Sequence, residues 1–401
     1  MGSFNEVFLG DLCTFTQGVQ IADKDTVKSH KEGYIRYIYI RDLFTDKYPV
    51  YVKDEYPKKV LNWGDIVMVN TGNTSGYVYR AKEGVLCNNA FKISVQETKN
   101  ELLDKEFLWV YLNSNAREQM LKRLFNPAGQ PHVGHKNVAR LKLKLPPLPE
   151  QRKIAKILST WDKAISTTEK LIETSRQQKK SLMQQLLTGK KRLVNPETGK
   201  AFEGEWERHS MSDLVFIDRK SLGKKTPDDF EFQYISLSDV AVGSISKELD
   251  VHKFASAPSR ARRVIQEGDI LLSTVRPNLK GFAKVSGKHA DCIASTGFSV
   301  LTPKKRVSGD YIHQYIFSSH VTGQIDSLVV GSNYPAINSS DVAGLKVYCP
   351  TYEEQQKIAS VLTAADKEIE VLEAKLAHFK QEKKALMQQL LTGKRRVSLS
   401  S

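Results

Sequence analysis

Two stretches of this chain carry a long helical period, and they are near copies of each other. In the first, apolar residues recur at Ile154, Leu158, Trp161, Ile165, Ile172, Leu182 and Leu186. In the second they recur at Ile358, Leu362, Ile369, Leu372, Leu376, Phe379, Leu386 and Leu390. Steps of four and three, broken once at Lys179, put each set on one narrow stripe. That is the spacing of a coiled-coil seam rather than the wider face of a helix laid on a sheet. Prolines precede the first helix and Gly189 follows it, while Thr351-Tyr-Glu-Glu354 opens the second with a capping-box pattern. Each seam needs a partner, and the obvious one is its copy.

The helices belong to a larger repeat. Leu-Met-Gln-Gln-Leu-Leu-Thr-Gly-Lys occurs at 182–190 and at 386–394, and the openings Glu-Gln-Arg-Lys-Ile-Ala and Glu-Gln-Gln-Lys-Ile-Ala begin at 150 and 354, all 204 residues apart. Between 150–192 and 354–396, 23 of 43 positions agree, which marks a tandem duplication of the whole unit. Ahead of each helix the pattern shortens to strands. In 1–149 these fall at 34–40, 65–69 and 90–95, followed by helical spacing at 104–124, a Gly/Pro-rich loop at 126–135 and a closing strand at 141–145. The second domain keeps the register: Gly64-Asp65-Ile66 answers to Gly268-Asp269-Ile270, Pro131 to Pro335, and, with a small indel, Tyr37-Ile38 to Tyr234-Ile235. Elsewhere the two domains share little.

The expected fold is α+β, with two α/β domains separated by two long antiparallel coiled-coil helices and a pseudo-twofold internal repeat. The predicted division is a domain at 1–149, a helix at 150–190, a linker at 191–209, a second domain at 210–353 and a second helix at 354–393. Antiparallel pairing would set the domains at opposite ends of a rod. About 38 helical residues span on the order of 57 Å, against about 34 Å between DNA half-sites one turn apart. Near-identical helices suit one partner bound twice; diverged domains suit two different short sequences.

Composition narrows the partner. Hydrophobic content of 40% and charged content of 26% are ordinary for a globular chain. No apolar run reaches membrane-spanning length, Met1-Gly lacks the Ser or Thr at position 6 of a myristoyl signal, and the cytoplasm is the default location, with no membrane partner. Cys13, Cys87, Cys292 and Cys349 form no Cys-x-x-Cys pair, against a zinc ribbon or disulfide framework. His132 and His135 have no nearby metal-ligating company, so no metal is expected. The net charge is +15, with +7 and +3 in the two helical copies, which favours a polyanion such as double-stranded DNA. No Asp-Pro-Pro-Tyr or Asn-Pro-Pro-Tyr methyltransferase motif and no phosphate-binding loop is present, so no catalytic residue is assigned and chemistry is left to partners.

These features together resemble the specificity subunit of type I restriction–modification systems. The markers are Pro-Pro-Leu-Pro-Glu-Gln at 146–151, Gln-Lys-Ile-Ala at 356–359 and Leu-Leu-Thr-Gly-Lys closing each helix. The departures are Gln-Arg-Lys at 151–153 against Gln-Gln-Lys at 355–357, and Cys-Pro-Thr-Tyr at 349–352 in place of the first proline cluster. The resemblance implies two target-recognition domains reading the halves of an asymmetric, bipartite DNA site. It implies helices that set the spacer and dock two modification (methyltransferase) subunits, which methylate adenine N6, with restriction/translocase subunits joining for cleavage. The chain itself would bind no cofactor, S-adenosylmethionine, ATP and Mg belonging to those partners. The alternative is an internally symmetric DNA-binding regulator that needs no methyltransferase.

Base reading calls for amides and guanidinium groups on exposed loops, and phosphate holding for Lys, Ser and Thr. In the first domain the candidates are Asn70, Thr71, Asn73 and Thr74 after a strand, with Arg80, then Gln130, His132, His135 and Lys136 around the matched proline. In the second they are Arg276, Asn278 and Lys280, the loop residues Ser332, Asn333 and Tyr334, and the basic pair Arg260 and Arg263. An ordinary hairpin turn, a structural domain–helix junction and a solvated patch are the competing readings of these three groups.

Overall fold

A computed structural model describes residues 4–115, 132–329 and 335–399. The chain forms two compact units: Met1–Glu169 with Ala374–Ser401, and Lys170–Glu373. The linear division predicted from sequence is therefore crossed. The helices Leu148–Leu186 and Tyr352–Leu391 each give one part to one unit and the rest to the other.

Both units have the same sheet plan. The first has an antiparallel sheet in the order Cys13–Gln17, Ala90–Val95, Ile66–Val69, Val78–Arg80. A second sheet, Val50–Lys53, Tyr34–Ile38, Gly84–Leu86, Val60–Leu61, has a parallel central pair. The second unit repeats this with Val215–Ile217, Phe298–Pro303, Ile270–Ser273, Phe282–Lys284, and with Val251–Lys253, Glu231–Ile235, Ile293–Ser295, Ala261–Val264. The sequence-matched pairs occupy the same register: Tyr37 and Ile38 face Val85 and Leu86, as Tyr234 and Ile235 face Ile293 and Ala294. The strand Ile66–Val69 is buried along its length, because both faces of this central strand are covered and an unbroken apolar run is what such a position selects. The helix expected at 104–124 is described as Lys105–Leu112, capped by the Asp104 carboxylate, and its predicted second half lies outside the described residues.

Within each unit the two long helices run antiparallel. In the first, Lys383 meets Asp162 and Lys380 meets Glu169 at 2.8 Å, so one helix ascends as the other descends, with the Trp161 ring edge-on to Phe379 at 5.5 Å. In the second, Lys179 meets Asp366 and Arg176 meets Glu373 at 2.6 Å. The predicted seam residues are all buried or half-buried, including Ile165, Ile172, Ile369, Leu372 and Leu376. The seam is not purely a coiled coil, however. Ile154 and Leu158 enter the first unit's core beside Phe107 and Leu108, together with Leu390 and, at its edge, Leu386. Ile358, Leu362 and Leu186, with Leu182 at the edge, do the same beside Tyr311 and Ile312. The helix openings are wider than a seam because Ala155 and Ala359 are buried there too, and a small residue allows the globular core close approach.

Glu150 and Glu354 are buried at these openings. Glu150 accepts from Arg396, and Glu354 accepts from Arg192 at 2.7–2.8 Å. Gln151 accepts from the Asp104 amide and donates to the Leu102 and Pro146 carbonyls, and Gln355 accepts from the Ser308 amide and donates to the Pro350 carbonyl. The predicted linker 191–209 is consequently no loose tether. It carries Arg192, a Val194–Ala201 bridge and the strand Glu207–Ser210, paired with Lys346–Cys349.

Candidate nucleic-acid interface

In the first unit the loop after Ile66–Val69 is held against the segment that follows the undescribed stretch. Thr71 and His132 form an isolated bridge and share a 3.1 Å hydrogen bond between Oγ1 and Nδ1, and the Val133 amide donates to the Asn70 carbonyl. The equivalent bridge in the second unit joins Val275 to Ala336, with the Arg276 amide donating to the Pro335 carbonyl at 2.7 Å. The two candidate loops in each domain, far apart in sequence, thus form one surface. Gln130 in the first unit and Ser332, Asn333 and Tyr334 in the second lie outside the described residues.

Not every candidate points outward. Asn70 is buried and its amide lies 3.4 Å from the Asn88 carbonyl, so it shapes the loop. Asn73 is exposed and Thr71 and Thr74 are half-buried, while His132, His135 and Lys136 are exposed, His135 lying edge-on to Phe91. Arg80 sits at the far end of its hairpin, opposite Ile66; it pairs with Glu106, donates to the Gly64 carbonyl and lies over the Trp109 ring at 4.5 Å. In the second unit Arg276 and Asn278 are exposed and Lys280 is half-buried. Arg260 is exposed, whereas Arg263 is spent on Asp218 at 2.8 Å.

Sequence reasoning missed a basic band. The Leu222 amide donates to the Arg262 carbonyl and the Val264 amide to the Lys220 carbonyl, which lays 219–225 along Ala261–Val264. Exposed Arg219, Lys220, Lys224 and Lys225 thereby join Arg260, and the paired Arg-Lys and Lys-Lys dipeptides were the available signal. Tyr77 and Leu279, both more than half exposed on the loops, were also passed over because apolar residues were read only as core. Among the described residues no group of three or more metal-ligating side chains converges, and no helix is long and apolar enough to cross a membrane. Burial pushes the Cys13 and Cys349 thiols up to about 12, so neither offers a thiolate near neutral pH.

The arrangement offers exposed amide, guanidinium and imidazole groups on rigid loops, with cations to the side. Over its full length the chain is similar to known proteins. It is 28% identical to the type I restriction enzyme MjaVIII specificity subunit of Methanocaldococcus jannaschii, over 98% of this chain and 92% of that one. Its fold is similar to the type I restriction-modification system S subunit of M. genitalium, with a TM-score of 0.63 at 13% identity over 99% and 97% of the two chains. A chain from a structure of the type I R-M system gives 0.54 at 17% identity, over 98% and 99%. The model of the type I restriction modification DNA specificity domain matches twice, at residues 1–174 and 204–381, and the chain belongs to that family.

Proposed function

We propose that each unit reads one half of a split DNA site through its paired loops, and that the two copies of the long-helix motif receive two copies of one methyltransferase subunit. The observation that carries this is the contrast inside the duplication: the helices and their fastenings repeat side chain for side chain, while the loop residues do not. A repeated face binds the same thing twice, and unlike readers on a shared plan read different sequences. Base contacts would come from the loop side chains and non-specific attraction from the basic excess. The chain supplies recognition only. Methyl transfer to adenine N6 from S-adenosylmethionine, and any ATP- and Mg-dependent cleavage by restriction subunits, would belong to partners.

The test is to express the chain with its methyltransferase and map modified bases. The expected motif is asymmetric and interrupted, with adenine modified on both strands; a continuous palindrome would contradict the proposal. Gel shifts with and without the methyltransferase separate it from a regulator, which would bind its operator tightly alone.

A further inference from the structure

The turn after the central strand has one backbone in both units. The Val69 amide donates to Tyr77 and the Ser273 amide to Gly281; within the turn, Ser75 donates to Gly72 and Leu279 to Arg276, both at 2.9 Å. The first and fifth turn residues are left-handed in each copy, Gly72 and Gly76 at φ 97° and 83°, Arg276 and Lys280 at 48° and 53°. Glycine takes this conformation without steric cost, whereas a residue with a Cβ is strained in it. The first unit therefore shows what the turn asks for, and the second departs from it at both positions.

Another left-handed residue, Asp218, has a visible local reason. Its carboxylate accepts from the Val300 amide and the Ser339 hydroxyl and pairs with Arg263. The turn at 276–280 is instead a presented one. Pro277 is buried beneath it, Arg276 and Asn278 are exposed, Leu279 stands 64% exposed, and Lys280 lines a groove with Lys180 and Lys190 of the same unit. Strain of this kind persists where a function holds it in place.

Resting on the DNA-reading proposal above, we infer that Arg276 is a specificity-determining residue of the second unit and Lys280 its phosphate anchor. The guanidinium fork of Arg276 reads a base edge in the major groove, for which guanine O6 and N7 are the matching acceptors. Lys280, beside the helix lysines, holds the adjoining backbone. The first unit, with glycine at both positions, reads its half-site without this pair.

The experiment uses the assembled methyltransferase complex with Arg276→Gly and Lys280→Gly. Because glycine suits the turn, each variant should unfold at the same temperature as the parent or higher. Arg276→Gly should lose about 10- to 100-fold affinity for the parent site and modify all variants of one base pair in the second half-site, leaving the first half-site unchanged. Lys280→Gly should weaken binding to every sequence alike and reduce the slope of log K against log salt by about 1. A lower unfolding temperature would make these side chains structural, and an unchanged motif for Arg276→Gly would remove it from base reading. Either result leaves the bipartite reading standing; that reading fails only if the parent complex itself recognises no split site.

Discussion

Glu150 in the first unit and Glu354 in the second are both buried carboxylates at the head of a long helix, and each is met by an arginine just beyond the foot of the other helix, Arg396 and Arg192. The partners are related by the 204-residue offset in both directions, as are Lys383–Asp162 and Lys179–Asp366, Lys380–Glu169 and Arg176–Glu373, and Arg80–Glu106 and Lys284–Asp310. Away from these fastenings the units differ: Trp109 stands where the second unit has His313, and Gly72 where it has Arg276. The duplication has kept what joins a helix pair to a globular core and released the rest. An ion pair closing one unit can be copied only if the matching halves come from both copies of the repeat, so antiparallel pairing is written into which charges survive.

The largest effect should come from opening the buried clamps. Arg396→Ala leaves Glu150 in the first unit without its guanidinium, and Arg192→Ala does the same to Glu354; a buried charge stripped of its partner costs about 3 kcal/mol or more. Hydrogen exchange should show amides of the first unit losing protection in Arg396→Ala and those of the second in Arg192→Ala. Equal losses would confirm that the clamps are equivalent, and a loss spread over both units in either variant would break the comparison. The clamp also strengthens proton retention by both arginines, chiefly through the carboxylate hydrogen bonds, so no pH dependence from their side is expected below the alkaline range.

A slightly smaller effect distinguishes the units by pH. Burial holds His313 down to about 4, against the attraction of Asp366 and Asp310, with Lys179 and Lys284 acting in the same direction as burial. The unfolded chain takes up this proton near pH 6.5 while the folded chain does not. Stability from the neutral ring is thus complete above about pH 6.5 and is lost as pH falls towards 4, by up to about 3 kcal/mol. The second unit should lose protection over that window. His313→Leu should flatten the dependence, and a profile unaltered by the substitution would rule this histidine out as its source.

Much of this was legible in the sequence and some could not be. The 204-residue offset located equivalent strands, turns and helix ends before any coordinates, because a duplicated backbone preserves Gly64 and Gly268 at the same left-handed turn. The seam periodicity identified the helix pair. It did not show that Ile154 and Ile358 face globular cores, since an apolar residue at a given spacing looks the same whichever surface covers it. For the candidate interface, residue type alone could not separate an arginine spent on a carboxylate, as Arg263 and Arg80 are, from one presented on a turn, as Arg276 is. That distinction depends on partners far away in sequence.

The glutamines beside the clamps give an intermediate and graded case. Gln151 makes three hydrogen bonds and Gln355 two, all to backbone groups of the same unit. Replacing either by leucine leaves buried amide and carbonyl groups unsatisfied, a loss of about 2 kcal/mol or more. Gln151→Leu should be the more damaging in thermal unfolding; the reverse order would mean that the helix opening, rather than these bonds, sets the cost.

The smallest effects belong to the outer ion pairs between the helices, and they test what repetition of a charge is for. Lys380–Glu169 and Arg176–Glu373 are about half exposed on both sides, and pairs of that kind contribute under about 1 kcal/mol. Glu169→Ala or Glu373→Ala should hardly move the unfolding temperature. If stability were their only role, the duplication would have had little reason to keep both pairs in register. Their effect lies in excluding wrong alignments: a shift of one helix along the other would set lysine against lysine, as negative determinants do in coiled coils. Glu169→Lys should accordingly cost more than Glu169→Ala, and combining it with Lys380→Glu should restore the parent unfolding temperature. If the combined variant unfolds as readily as Glu169→Lys alone, the pair does not set register, and its recurrence in the second unit reflects common descent alone.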